Sequence, residues 1–168
     1  MNALQRYMTA DHDRLDRLLD RAVSSAERFD IDAFEEFRAG LLRHIGIEEK
    51  ILLPDARRHR GGEPLPIAAR LRVEHAALAS LMVPTPDHAL VAEIRNLLTV
   101  HNRIEEESGG AYELIATLAG DEADTLLQRA QAVPTPPVAR HFDGAGVFRT
   151  AAEALALAER NAARKRKG

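Results

Sequence analysis

The sequence predicts an all-α protein, an up-down-up-down antiparallel four-helix bundle followed by a short C-terminal helical extension. Three observations predict it. Apolar residues recur at steps of three and four in four long stretches, the period of a core-facing helical stripe. The links between these stretches are short and marked by Gly, Pro and Asp, which favours antiparallel neighbours. No alternating apolar and polar run is long enough to make a convincing strand. At 168 residues the chain can bury a core without a disulfide. The bundle is expected over residues 1–120 and the extension over 121–168.

The first helix is expected from about Thr9 to Phe29, with Asp11 and Asp13 near its positive N-terminal end. Asp30 and Asp32 offer caps for the second, and Asp32 with Glu35 has the spacing of a capping box. That helix should reach about Arg60, kinked or restarted where Pro54 removes a backbone donor. Gly61 and Gly62 end it, and Pro64 and Pro66 lead into a third helix from Ile67 to Met82. Thr85 as cap and Pro86 as first helical residue would open the fourth. It should run to about Ala119 across Gly109 and Gly110, which weaken a helix by about 1 kcal/mol each. The extension should hold a short helix over Asp121 to Ala132 and an irregular stretch from Val133 to Arg149. A terminal helix then opens on a Thr150–Glu153 capping box.

The inward stripes carry residues that a core does not ordinarily hold. The first reads Met8, His12, Leu15, Leu19, and the second Phe37, Leu41, His44, Glu48, Ile51. The third reads Leu71, His75, Leu78, Met82, and the fourth Ile94, Leu97, His101, Glu105, Tyr112, Ile115. Each histidine falls in step with its apolar neighbours. Two buried carboxylates with no matching arginine would cost several kcal/mol. Four imidazoles on apolar stripes would also need hydrogen-bond partners. A pair of cations resolves both terms, because residues four apart on a helix face one cluster. The candidate metal ligands are therefore His12, His44, Glu48, His75, His101 and Glu105. A single His-x-x-x-Glu is weak; the signal is four in-phase histidines at one depth. His59, His88 and His141 fall outside this set. Tyr112 reads as a packed core tyrosine, and Glu49, turned about 100° from Glu48, as a solvated residue.

Composition narrows the chemistry. The chain has no cysteine, so any metal takes nitrogen and oxygen donors. No apolar run approaches a membrane span, and the start MNALQRYMTADHD lacks a secretory pattern, so the expected location is cytoplasmic. A basic tail (Arg160, Arg164, Lys165, Arg166, Lys167) follows an acidic body, and it reads as a solvated helix end. An acidic body argues against a nucleic-acid partner.

The pattern His … His-x-x-x-Glu … His … His-x-x-x-Glu resembles the hemerythrin-like, or HHE cation-binding, domain family. The resemblance spans about Thr9 to Leu118, and the string HIGIEEKILLP is especially typical of it. It implies a four-helix bundle around two iron ions with an oxo or hydroxo bridge. The four histidines would be terminal ligands, with Glu48 and Glu105 as bridges. Two departures stand out. Ala79 occupies the position where oxygen-carrying members have a further histidine, and Glu105 stands where they have aspartate. The Ala79 departure leaves an open position at both metals, suited to ligand exchange or redox chemistry.

The function that follows is a di-iron protein meeting a small diatomic or peroxide ligand (O2, NO or peroxide) as sensor, scavenger or iron reservoir. Two other readings stay open. One is a di-iron redox enzyme, peroxidase-like or NO-reducing. The other is a zinc or manganese site that staples the bundle, since imidazole and carboxylate accept several divalent ions. The stretch from Val133 onward is a candidate gate for the site or a surface pairing two copies into a homodimer; a surface-packed extension is the plainer expectation.

Overall fold

The computed structural model describes residues 1–165, so Arg166 and Lys167 of the basic tail lie outside the described residues. Every regular element among these residues is helical. No described helix is long and apolar enough to cross a membrane.

Helix α1, Ala3–Ala22, begins six residues before the expected start. Asn2 and Gln5 form a reciprocal capping box: each side chain accepts the other's backbone N–H at 2.8 Å. That box lies upstream of Thr9 and sets the true start. The helix stops at Ala22, ahead of Phe29; there Ser24 returns its hydroxyl to the Arg21 carbonyl. Helix α2, Ile31–Ile47, is capped by Asp30, which accepts the Ala33 N–H at 3.0 Å. The expected Asp32–Glu35 box does not form, because Glu35 is taken by Arg38 at 2.7 Å and by His141.

The chain restarts its helix at Pro54, one of the two outcomes expected there. A five-residue π turn, Glu48–Leu52, precedes helix α3, Leu53–His59. Proline lacks a donor and its ring crowds the carbonyl four residues back, and the widened turn takes up that misfit. Gly61 and Gly62, at φ 66° and 101°, reverse the chain in the left-handed region.

Helix α4, Ala68–Leu81, matches expectation to within a residue. Helix α5, His88–Glu106, is capped by Asp87 rather than Thr85, whose hydroxyl goes to Asp143. The expected fourth helix is two helices. It breaks over residues 107–110 and resumes as α6, Ala111–Ala119. Gly109 has φ 77°, and a Cβ at Gly110 would stand 2.7 Å from the carbonyl oxygens of Glu105 and Glu107. The break is therefore a built feature, with glycine required at both positions.

A 3₁₀ turn, Gly120–Glu122, leads into helix α7, Ala123–Gln131. The irregular stretch that follows is pinned by arginines of α2: Arg43 donates to the Val133 carbonyl at 2.7 Å and Arg38 to that of Ala139 at 3.0 Å. Helix α8, Ala151–Lys165, opens on the Thr150–Glu153 box and lies against α4 and α5. Its Ala154 and Ala158 are buried in the same apolar cluster as Leu78 and Ile94. The extension thus supplies a further long helix to the core, which a count of four helices omits.

The core has two apolar clusters. Leu15, Phe37, Leu41, Leu78 and Leu97 belong to one; Met8, Ile47, Leu71 and Ile115 belong to the other. Along α1 the chain passes from the second to the first with His12 between them. Along α2 it passes back through His44, along α4 forward through His75, and along α5 back through His101. A polar layer is sandwiched between two oily ones.

Candidate metal centre

All six residues singled out by the sequence are brought together in that layer, each at most 5% exposed. They form two overlapping groups of possible cation donors: His12, His44, Glu48 and Glu105, and Glu48, His75, His101 and Glu105. Within each group the donor atoms lie within 4.8 Å of one another. Glu48 and Glu105 belong to both, so two carboxylates join two pairs of imidazoles. The Nε2 atoms of His44 and His101 lie 3.4 and 3.3 Å from the glutamate one turn on.

The hydrogen bonding of this layer is incomplete. Glu48 Oε2, His75 Nε2 and Glu105 Oε1 are buried and have no hydrogen-bond partner. Glu48 Oε2 and His75 Nε2 are 3.0 Å apart, yet misdirected for a hydrogen bond. Buried polar atoms without partners are rare and costly. Three of them turned toward one another are what a donor set arranged for a cation leaves. The hemerythrin HHE cation-binding domain, as a sequence model, matches residues 3–132. The chain belongs to the hemerythrin HHE cation-binding domain family. No curated protein and no solved structure shows significant similarity to it.

The family match reaches past Leu118 to Ala132 and so takes in α7. In this hemerythrin-domain chain the other nitrogen of each imidazole is held by a carboxylate from the next helix. His44 Nδ1 donates to Asp11 of α1 at 2.9 Å and His75 Nδ1 to Glu49 of the π turn at 2.7 Å. His101 Nδ1 donates to Glu74 of α4 at 2.8 Å, and His12 Nδ1 to Glu106 of α5 at 2.5 Å. The four links close a ring through α1, α2, α4 and α5. Each orients its ring so that Nε2 faces the centre, where it offers a lone pair once that nitrogen carries no proton.

This ring supplies the partners that the imidazoles were expected to need; among their inner nitrogens His75 Nε2 is the one left orphaned. Glu49 is not solvated, since the π turn carries it to His75 and to Arg72 at 3.2 Å. Sequence reasoning missed Asp11, Glu49, Glu74 and Glu106. A signal was present, for each directly adjoins a predicted ligand in the chain (Asp11–His12, Glu48–Glu49, Glu74–His75, Glu105–Glu106). Tyr112 is a core residue, as expected, but its hydroxyl enters the polar layer. It donates to Glu48 Oε1 at 2.6 Å and lies 3.1 Å from Glu105 Oε2 and His44 Nε2, and 3.2 Å from His12 Nε2.

Electrostatics show how the chain carries these charges without a cation. Burial pushes the His44 and His75 imidazoles down. For His44 the Glu48 charge and the Asp11 hydrogen bond outweigh it; for His75 the adjacent Glu48 and Glu49 carboxylates do, and both rise to about 9. Burial pushes Glu48 up, but the His44 charge and the nearby His75 imidazole hold it well below the usual carboxylate range. Glu105 lies well above that range, raised by burial and by the Glu48 charge. Asp11, raised by burial, is brought down to about 2 by its hydrogen bonds to His44 and Arg14. The feared uncompensated charge is thus offset by protons, which are displaceable.

The other histidines join neither group. His59 lies 3.5 Å from Asp55, His88 donates to the Ser25 carbonyl at 2.8 Å, and His141 bonds Glu35. A cleft of about 310 Å³ between α1 and α5 reaches the layer beside His12, Asn102 and Glu106.

If the outer carboxylates orient the imidazoles, Glu74→Gln should weaken metal binding about 10–100-fold while leaving the helical content unchanged. Competition against a chelator of known affinity measures it. An unchanged constant would make the ring merely structural.

Proposed function

We propose that this chain is a non-haem di-iron protein of the hemerythrin type, with His12, His44, His75 and His101 as terminal ligands and Glu48 and Glu105 bridging. The observation that carries this reading is the pair of overlapping four-donor groups with three orphaned atoms turned inward. The donor set is two imidazoles per metal plus two shared carboxylates, which suits divalent and trivalent iron and also accepts zinc or manganese. Iron is favoured by the family resemblance. The alternation of the two apolar clusters along α1, α2, α4 and α5 supports an up-down-up-down order for the four ligand-bearing helices. On this reading residues 1–120 are the metal-holding bundle and 121–168 a C-terminal extension, whose described part, to Lys165, packs upon it.

Iron in this setting supplies redox chemistry and a site for O2, NO or peroxide. The protein's own residues orient the imidazoles, exclude bulk water and leave a narrow approach beside His12. The role is sensing, scavenging or storing iron in the cytoplasm. The depth of the layer, with each donor residue at most 5% exposed, favours binding of a diatomic or peroxide over an organic substrate.

The test is elemental analysis of protein loaded anaerobically with iron, followed by air exposure. Two irons per chain and the near-ultraviolet absorption of a coupled ferric pair are expected. Zinc or manganese in place of iron from iron-replete cells would overturn the redox reading. Sustained turnover of peroxide or NO would move the role from sensor to enzyme.

A further inference from the structure

Tyr112 is 1% exposed, and its hydroxyl touches all four donor atoms of the first group and none of the imidazoles of the second. A phenol has one proton to give and two lone pairs, so four polar neighbours exceed what it can satisfy. The distances have a second meaning. Donor atoms at right angles on one cation, with bonds of about 2.1 Å, stand about 3 Å apart. Tyr112 Oη stands 2.6 to 3.2 Å from the four. The second group has no such oxygen. Its Glu48 Oε2, His75 Nε2 and Glu105 Oε1 are the very atoms left without partners.

We propose that Tyr112 is a seventh protein ligand, bound through Oη to the cation that His12 and His44 hold. The proposal rests on the two-metal reading above. The metal–Oη bond forms, the O–H bond breaks, the proton passes to solvent, and no electron moves. The two metal positions are then unequal. The one between His12 and His44 has five protein donors; the one between His75 and His101 has four and keeps the open coordination. Exogenous small ligands are directed to the second. This replaces the expectation from Ala79 that both metals are equally open.

The break over residues 107–110 is what delivers this side chain, since it re-aims the chain between Glu105 and Tyr112. The chain has one other tyrosine, Tyr7, whose oxygen accepts from Arg43 at 3.0 Å.

The test uses the full chain loaded with iron and oxidised in air. Ferric phenolate gives a visible charge-transfer band and resonance-enhanced phenolate ring modes. Both are expected in the wild type and in Tyr7→Phe, and both should vanish in Tyr112→Phe while two irons remain by elemental analysis. Wild-type protein with two irons and no such band overturns the proposal and leaves the di-iron reading intact. A band surviving Tyr112→Phe overturns it equally. Should Tyr112→Phe fail to fold, the wild-type and Tyr7→Phe spectra still decide. Failure of the wild type to hold two metals sinks the underlying reading instead, and the proposal with it.

Discussion

Replacing Glu105 by glutamine is expected to strengthen the metal-free fold, and replacing Glu48 to weaken it, although either change should empty the metal centre. The two carboxylates are equivalent as donors, since each belongs to both groups. They are opposite as charges. Glu48 is the counter-ion of two raised imidazoles, lying 3.4 Å from His44 Nε2 and 3.0 Å from His75 Nε2. Its loss leaves those imidazoles with their outer partners only, at a cost of about 3–5 kcal/mol. Glu105 is pushed up by burial and by the Glu48 charge, so it is held protonated, and an amide there removes the cost of taking up that proton on folding, a gain on the order of 1 kcal/mol. Denaturant unfolding of chelator-treated protein reads the signs, and metal per chain should fall from two to none in both variants. Two metals held at wild-type affinity in either one would remove bridging from the account.

Metal affinity is expected to climb steeply with pH. In the metal-free protein His44 and His75 stay protonated up to about pH 9, and one belongs to each group. A cation must displace that proton, so each site's apparent affinity should rise at least about tenfold per pH unit between 7 and 9, and more steeply wherever Tyr112 or Glu105 also gives up a proton. The two sites together gain at least about a hundredfold per unit. Fold stability has the opposite slope when metal is absent. A pKa raised on folding stabilises fully below the unfolded value near 6.5. That contribution is lost as pH climbs through about 9. Chelator competition and thermal melts across this window should diverge in sign. Parallel curves would show that His44 and His75 do not carry the displaced protons.

The inner donors were legible because burial and helical period act together: a histidine in phase with leucines has nowhere to point but inward. The outer carboxylates were not, because each sits at a helix–helix seam, where single-helix geometry places a residue neither in the core nor in water. Asp11 and Glu74 show this, each one residue ahead of a ligand on its own helix but bonded to the ligand of the next. Glu49 was hidden further by the π turn, since a count of 100° per residue turns it away from the seam it occupies. The α5–α6 break was visible only as weakness at Gly109 and Gly110. That a Cβ at Gly110 would strike two carbonyls is a fact of three dimensions. Consequently Tyr112 read as ordinary core. The start of α1 was misplaced because Thr9 and two aspartates resemble a helix beginning, whereas Asn2 and Gln5 make one.

The closed circuit of carboxylates has a consequence for biosynthesis. Its final link runs from Glu106 back to His12, and Glu105 completes both donor groups. A nascent chain that has not yet emerged past these residues can neither seat its first imidazole nor supply the second shared carboxylate. Uptake of the full pair of cations must therefore wait until Glu106 has left the ribosome, however early the first imidazoles emerge.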